Sequence, residues 1–309
     1  MIPDKNMIKA EAEKLGFCLC GFTSAEPLED FVRYEQWLGA DPTGTMAYLK
    51  REDTLAKRSD PRRLLPDAKS ICVLAVPMGL FPSPEDYSVA SYARYDDYHE
   101  AILPMASALA ELIRQQTGEP FAWKICIDAA PVLERSLAVR AGLGWIGKSS
   151  MLINRRYGSA LFLCEILMSI EIEPDEPYTG EGCGKCTRCV DACPNHCIDP
   201  ETRTIWADHC ISYLTIEHKG EFTGEQIREV GTHLFGCDDC LLVCPWNSRN
   251  SGSSPIRMAE AVPNLSDDLL TEAEFKEKFR TSPVLRTKYK GLRRNIEAVR
   301  KNSASLNDE

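Results

Sequence analysis

The chain has 309 residues, 44% of them hydrophobic, enough for one large domain or two ordinary ones. Its formal net charge of −10 argues against generic nucleic-acid binding, and fourteen cysteines in a chain without an export leader point to metal ligation in a reducing cytoplasm rather than to disulfides. No apolar run approaches the length of a membrane span, so no membrane partner is expected.

Residues 7–16 have helical apolar spacing and stop at Gly16. Residues 17–22 form a short apolar run with Cys18 and Cys20, which read as buried strand cysteines because ligands for metal are supplied elsewhere. Arg58, Arg62 and Arg63 lie near Pro61 and Pro66 in a polar stretch, and read as surface residues unless an anionic ligand is present. Residues 70–78 are continuously apolar and predict a buried strand. Residues 90–99 are dense in aromatic and polar groups, and 101–116 predict a helix with Ile102, Leu103, Met105, Leu109, Leu112 and Ile113 on its apolar side.

A second strand is predicted over 121–128, ending on Asp128. That carboxylate has two readings. It is either a catalytic group at a strand end, where loops line a site, or the N-cap of a helix over 130–140 with Pro131 near its start. Gly142, Gly144 and Gly147 follow, not at G-x-G-x-x-G spacing, and read as backbone that permits close ligand approach. Residues 160–170 predict a further strand packed on the one at 70–78.

After a Pro- and acid-rich linker at 171–182 comes Cys183-Gly-Lys-Cys186-Thr-Arg-Cys189-Val-Asp-Ala-Cys193-Pro194, the C-x2-C-x2-C-x3-C-P run of bacterial iron–sulfur ferredoxins. In that run three cysteines wrap one cubane and the fourth, before proline, serves a second. Cys237-Asp-Asp-Cys240-Leu-Leu-Val-Cys244-Pro245 is one cysteine short of a repeat, and Cys210 completes it. The crossing rule then assigns Cys183, Cys186, Cys189 and Cys244 to cluster one, and Cys193, Cys210, Cys237 and Cys240 to cluster two, for two [4Fe–4S] clusters in all. Zinc is disfavoured because the full run and the partial run occur together. Cys197 is a ninth candidate ligand here, and reads in preference as a small buried residue beside them.

Past Asn247 a Ser/Asn/Gly-rich break precedes helical segments near 268–280 and 291–301, and 302–309 reads as a frayed end. Residues 276–301 carry ten Lys/Arg against two Glu, a local +8 in a chain whose remainder is −18. This basic tail reads as either a solvated helix or a contact for an anionic partner. None of the five histidines forms a spaced zinc pair. Asp97-Tyr98-His99 opens like the D-x-H-x-x-G pattern that gives cobalamin a lower histidine, but position 102 is Ile102.

Several of these pieces together resemble the epoxyqueuosine reductases. They are Lys57-Arg58-x2-Pro61-x2-Leu64-Leu65-Pro66, Asp97-Tyr98-His99, Asp128-x2-Pro131-Val-Leu-Glu134-Arg135 and Gly142-Leu-Gly-Trp145-Ile-Gly147-Lys148, then the Cys183 run, Cys210-Ile-Ser212-Tyr-Leu-Thr215 and the segment 236–247. The resemblance implies an α+β protein: a nitroreductase-like α/β cobalamin domain over 1–172, a ferredoxin-like two-[4Fe–4S] domain over 173–250, and a short basic helical segment over 251–309. It implies reduction of epoxyqueuosine to queuosine at the tRNA wobble position, by a cytoplasmic monomer supplied by an external low-potential electron donor. By matching positions, Asp128 is the expected proton donor, held protonated by burial. Arg58, Ala90, Asp128, Leu152, Leu163, Ser212, Cys237 and Asp238 fall where the family contacts cobalamin, without a lower histidine. Tyr92, Tyr95 and Tyr213 either stack on anticodon bases or simply pack. Longer family members continue into helical repeats past the equivalent of Asn295, which leaves the basic tail, with Arg293 and Arg294, as the candidate tRNA surface. Two rival readings are another cobalamin iron–sulfur reductase of the dehalogenase kind, and a ferredoxin-type carrier with no substrate site.

Overall fold

The apolar runs at 70–78 and 160–170 become neighbouring strands, and the rest of the first half is laid against them. The computed structural model describes residues 4–84, 86–180, 182–249 and 253–307. In chain order it begins with α1 (Lys5–Lys14), β1 (Leu19–Ser24), α2 (Phe31–Gly39), α3 (Glu52–Ser59), β2 (Ser70–Pro77) and β3 (Ser88–Val89). Next come α4 (Tyr98–Thr117), β4 (Trp123–Cys126), α5 (Glu134–Arg140), β5 (Trp145–Ile146), β6 (Leu152–Ile153) and β7 (Leu161–Met168). The main sheet has the order β1-β2-β7-β4, and every neighbouring pair is antiparallel. All of β2 is buried, as its unbroken apolar run requires of a strand covered on both faces. One face packs Phe22, Leu74 and Ile166 against Ile8 of α1 and Ile102, Leu109 and Ile113 of α4. The other packs Ile71, Val73 and Leu167 against Leu137 and Ala138 of α5. Each such buried side chain contributes about 1.5–3 kcal/mol. Cys18 and Cys20 belong to this sheet: the Cys18 thiol donates to the Ala75 carbonyl at 3.4 Å, and Cys20 Sγ lies 3.6 Å from Cys72 Sγ.

The cysteine segment holds α6 (Arg188–Asp191), β8 (Ile198–Asp199), β9 (Thr204–Ile205), α7 (Ile211–Ile216), α8 (Gly224–Val230), β10 (His233–Phe235) and α9 (Asp239–Leu242). It is tied back to the first half by β10, which pairs in parallel with β3. The chain closes with α10 (Glu272–Lys278) and α11 (Lys288–Asn307), whose Phe275, Leu292 and Ile296 share a core with Val89 and Phe235. No helix among the described residues is long and apolar enough to cross a membrane.

Four local expectations change. The helix expected over 101–116 starts earlier, at Tyr98, because the Asp97 carboxylate accepts the His99 backbone N–H at 3.0 Å and caps it. The strand before Asp128 stops at Cys126, and the next helix begins at Glu134 with Leu133 as its N-cap, so Asp128 caps nothing. Instead it stands in the loop at φ 47°, an uncommon backbone state for a residue with a side chain. The tail expected to fray at 302–309 is helical to Asn307, and 308–309 lie outside the described residues.

Candidate functional site

Between the sheet and the cysteine segment lies a cavity of about 460 Å³. Its apolar wall includes Met151, Leu152, Leu161, Phe162, Leu163 and Leu241; its polar groups include Asp128, Glu134, Arg135, Ser149, Ser159, Asn195, Ser212 and Asp238. On one side stand the sulfur-bearing residues Cys193, Cys197, Cys210, Cys237 and Cys240. An apolar floor with a few convergent polar groups is the usual construction of a cofactor pocket.

Six of the eight positions expected around a corrin line this cavity: Asp128, Leu152, Leu163, Ser212, Cys237 and Asp238. Arg58 and Ala90 do not. Arg58, on α3, donates to the Val132 carbonyl at 3.1 Å and lies over the Tyr34 ring, so it braces the loop that carries Asp128. Ala90 is buried under Gly236, where a Cβ added to the glycine would come within 2.5 Å of the Ala90 methyl. Next to it the Ser91 N–H donates to Asp238 Oδ2 at 2.6 Å, and burial raises the Asp238 carboxyl. The glycines at 142–147 do not line the cavity either. A Cβ on Gly144 would strike the Ile153 carbonyl at 2.1 Å, and one on Gly147 would meet the Ile153 side chain and lie 3.5 Å from Cys183 Sγ. Their smallness lets chain segments cross rather than a ligand approach.

Asp128 is held by two neighbours from the first turn of α4. Tyr98 Oη donates to Asp128 Oδ2 at 2.8 Å, and His99 Nε2 lies 3.6 Å from the same oxygen. Burial pushes the Asp128 carboxyl up, but the contacts from His99 and Tyr98 outweigh it and hold it below the usual carboxylate range. Here these two neighbours, and not burial, set the direction for Asp128; the expectation of a raised carboxyl concerned burial beside a corrin. The same contacts favour a proton on His99, whose imidazole is raised to about 9 by Asp128 and then Asp97. The Asp128 side chain is 62% exposed, into the cavity, where water screens these charges, so direction carries the argument here.

Behind Asp128 are two carboxyls that pattern reading passed over. Glu134 Oε1 accepts the Asp128 N–H at 2.7 Å, and burial, then the Asp128 charge, push it up to about 7. Glu165 lies mid-strand in β7 with no exposed surface, and neither carboxyl oxygen has a hydrogen-bond partner. Burial first, then Glu134 and Asp128, raise it well above the usual range. The available signal was a single acid inside the apolar run 160–170. Tyr98 and His99 were visible only as a rejected cobalamin motif.

Neighbouring charges couple the cysteines mostly within two sets, with Cys240 also close enough to feel Cys189. Burial, then Cys183 and Cys244, raises the Cys189 thiol, and Cys244 in turn feels Cys183 and Cys186. Burial also raises Cys237 and Cys240, and both feel Cys210. Thiols crowded in this way lose their protons together only to a cation, which suits an iron–sulfur core. Cys197 Sγ lies 3.4 Å from Cys193 Sγ. The Cys197 thiol is the one that keeps its proton, and contact with it lowers Cys193 to about 6 and Cys210 to about 7. One more group escaped the pattern of spaced histidines: His233 Nε2 stands 3.2 Å from Asp239 Oδ2, with Cys237 beside both.

The basic tail is not free. Lys276, Lys278, Arg280, Arg286, Arg300 and Lys301 each pair with an acid. Arg294 is buried: it donates to the carbonyls of Leu214, His218 and Gly220 at 2.9–3.0 Å and lies 3.9 Å from the Phe222 ring centroid. It is a structural arginine, which corrects its place on an RNA-facing surface. Tyr95 and Tyr213 are buried as well; Tyr95 donates no base platform but packs on Phe81 and Phe162.

Comparison with known proteins agrees with this arrangement. A family model described as "4Fe-4S double cluster binding domain" matches residues 182–247, and one described as "Epoxyqueuosine reductase QueG, DUF1730" matches residues 58–129. The epoxyqueuosine reductase of Cellulophaga algicola is 38% identical over 310 residues, covering 96% of this chain and 97% of the relative. The structure of epoxyqueuosine reductase from Streptococcus thermophilus superposes with a TM-score of 0.85 at 30% identity, covering 98% of this chain and 82% of that one. An epoxyqueuosine reductase solved with an epoxyqueuosine-modified tRNA-Tyr stem loop gives 0.83 at 26% identity, over 96% of this chain and 81% of that one. With identity at this level along nearly the whole length, the chain belongs to the epoxyqueuosine reductase family.

Proposed function

We propose that this chain reduces the epoxide of epoxyqueuosine in tRNA to queuosine on a cobalamin held in the cavity over Asp128, with electrons arriving through two [4Fe–4S] clusters. The overall reduction follows from family membership; the corrin and the residue roles are inferred from the site. One observation carries the inference: Asp128 and the thiols of Cys193, Cys210, Cys237 and Cys240 line the same cavity. A macrocycle fringed with amides fits its apolar floor and its rim of Ser149, Ser159, Asn195, Ser212 and Asp238, and no histidine is among the lining residues to ligate a metal from below. We assign Cys183, Cys186, Cys189 and Cys244 to one cluster and Cys193, Cys210, Cys237 and Cys240 to the other, within a functional division at 1–172, 173–250 and 251–309. When bound, cobalamin supplies a strongly reducing, nucleophilic cobalt centre, and the clusters pass it single electrons from an external low-potential donor.

The reaction consumes two electrons and two protons, and the epoxide oxygen leaves as water. Asp128 faces the cavity and touches His99, so it relays the His99 proton to the developing alkoxide. Tyr98 fixes the carboxylate oxygen that makes the transfer. Glu134, held to the Asp128 backbone, keeps the loop in its positive-φ state.

The test is anaerobic turnover of an epoxyqueuosine-bearing stem loop by the reconstituted protein. Asp128→Ala should lower kcat by about 10²–10⁴ with little change in KM. The wild-type rate should fall as pH rises through about 9, where His99 loses its proton, and Asp128→Asn should move that limb to lower pH by removing the charge that raises His99. An undiminished rate in Asp128→Ala removes Asp128 from proton delivery, and a protein that turns over with no bound corrin removes the cobalamin.

A further inference from the structure

We infer that the surface around Cys183, Cys186 and Cys189 is the docking face for a small acidic flavoprotein that delivers one electron at a time. This rests on the cluster assignment above, and names the entry point and the kind of donor. In a chain of net charge −10, residues 144–158 and 183–189 hold Lys148, Arg155, Arg156, Lys185 and Arg188 and not one Asp or Glu; residues 240–248 hold no charge at all.

These three segments meet. Lys148 Nζ donates to the carbonyls of Gly184 and Cys186, both at 3.0 Å. The turn after β6 leads to Ser159, whose N–H donates to Asn247 Oδ1 at 2.6 Å, three residues past Cys244. Arg155 reaches Tyr178, which stacks on Trp145, and Trp145 meets Trp246 edge-on at 5.1 Å. Arg155, Arg156, Lys185 and Arg188 are exposed and form no ion pair among the described residues. Leu242, 48% exposed, is on α9, which packs against α6, the helix that begins at Arg188. Asp191, an acid within this stretch, accepts the Thr187 hydroxyl at 2.8 Å.

The cavity lining takes Cys193, Cys210, Cys237 and Cys240 and none of Cys183, Cys186, Cys189 or Cys244. The second group of thiols therefore lies on the substrate side, and the first is left to receive electrons. Unpaired cations around it steer an acidic partner. The apolar Leu242 suits the exposed hydrocarbon edge of a flavin better than the polar shell over a buried cluster. At each encounter the flavin hydroquinone loses one electron to the chain and one proton to water. Two encounters supply the electrons of one turnover.

The experiment uses the anaerobically reconstituted protein and an acidic flavodoxin. Bleaching of cluster absorbance by flavodoxin hydroquinone is followed by stopped flow, and affinity for oxidised flavodoxin by calorimetry. Lys185→Glu/Arg188→Glu should slow bleaching about tenfold at low salt and weaken flavodoxin affinity, while reduction by a cationic reduced viologen is not slowed. Arg155→Glu/Arg156→Glu, which leaves the cysteine loop untouched, should act in the same direction. Equal rates and equal salt dependence in loaded wild type and both variants overturn the docking face alone. A charge-sensitive rate with a reduced acidic ferredoxin but none with flavodoxin overturns the flavoprotein assignment. Loss of stem-loop affinity with unchanged flavodoxin kinetics gives the surface to RNA and overturns the proposal. Wild type that takes up no paired clusters overturns the function on which it rests.

Discussion

At the scale of single residues, Glu165 is the oddest choice the chain makes. It sits opposite Cys126 and Val73 in the middle of the main sheet, fully buried, with two unpartnered carboxyl oxygens. An ionised carboxylate there would face Glu134 and Asp128, and burial alone makes that state costly. Glu165 is held as a neutral acid. Its folded-state pKa lies above the unfolded value of about 4.3, so its contribution to stability is fully present below that pH and is lost as pH rises above it. Glu165→Met removes this dependence. The variant should gain on the wild type in Tm as pH goes from 5 to 8, and parallel Tm curves would show that Glu165 ionises freely. A residue that weakens the fold at neutral pH yet faces the acids behind Asp128 is the kind retained for a site rather than for packing.

Among the elements, α11 separates what charge counting can and cannot show. From 276 to 301 the sequence reads +8, and nothing local reveals that Asp267, Asp268 and Glu217 lie across the fold to meet Lys278, Arg300 and Arg286. Arg294 is the sharpest case, because its guanidinium satisfies three carbonyls at the end of α7 and the loop after it. Arg294→Met should cost about 2–4 kcal/mol in urea unfolding, since those buried acceptors lose a charged donor together. Stem-loop affinity of the folded fraction should keep its salt slope; a reduced slope would return Arg294 to the RNA surface. The legible elements were those whose signal is local. The strands β2 and β7 announce themselves as unbroken apolar runs, α4 by its spacing, and the cysteines by theirs. Asp128 was legible as a position and not as a charge state, because Tyr98 and His99 reach it from 30 and 29 residues away. The glycines at 142–147 were legible as close approach, but what approaches is Ile153 at Gly144 and Gly147 and the Glu176 carbonyl at Gly142.

For the whole molecule, the two proposed cysteine groups are interlocked. Cys193 follows the loop of the first group yet its charge is felt by Cys210, and Cys244 follows the loop of the second yet feels Cys183. Small helices α6 and α9, which carry these crossings, pack against each other, so iron bound at either group fastens both loops. Binding energy of that kind is folding energy, and losing one cluster loosens the other's loop without dismantling its ligands. Cys240→Ala should therefore retain about half of the wild-type iron after anaerobic reconstitution, and Cys186→Ala the other half. Cys193→Ala should behave differently. Its neighbour Cys197 is buried with its Sγ only 3.4 Å away. Two thiolates on one tetrahedral metal with bonds of about 2.3 Å stand about 3.8 Å apart, so Cys197 can reach the iron that Cys193 leaves. The single variant should hold more iron than Cys240→Ala, and Cys193→Ala/Cys197→Ala should fall to the Cys240→Ala level. Equal iron in the single and double Cys193 variants would leave Cys197 as packing alone.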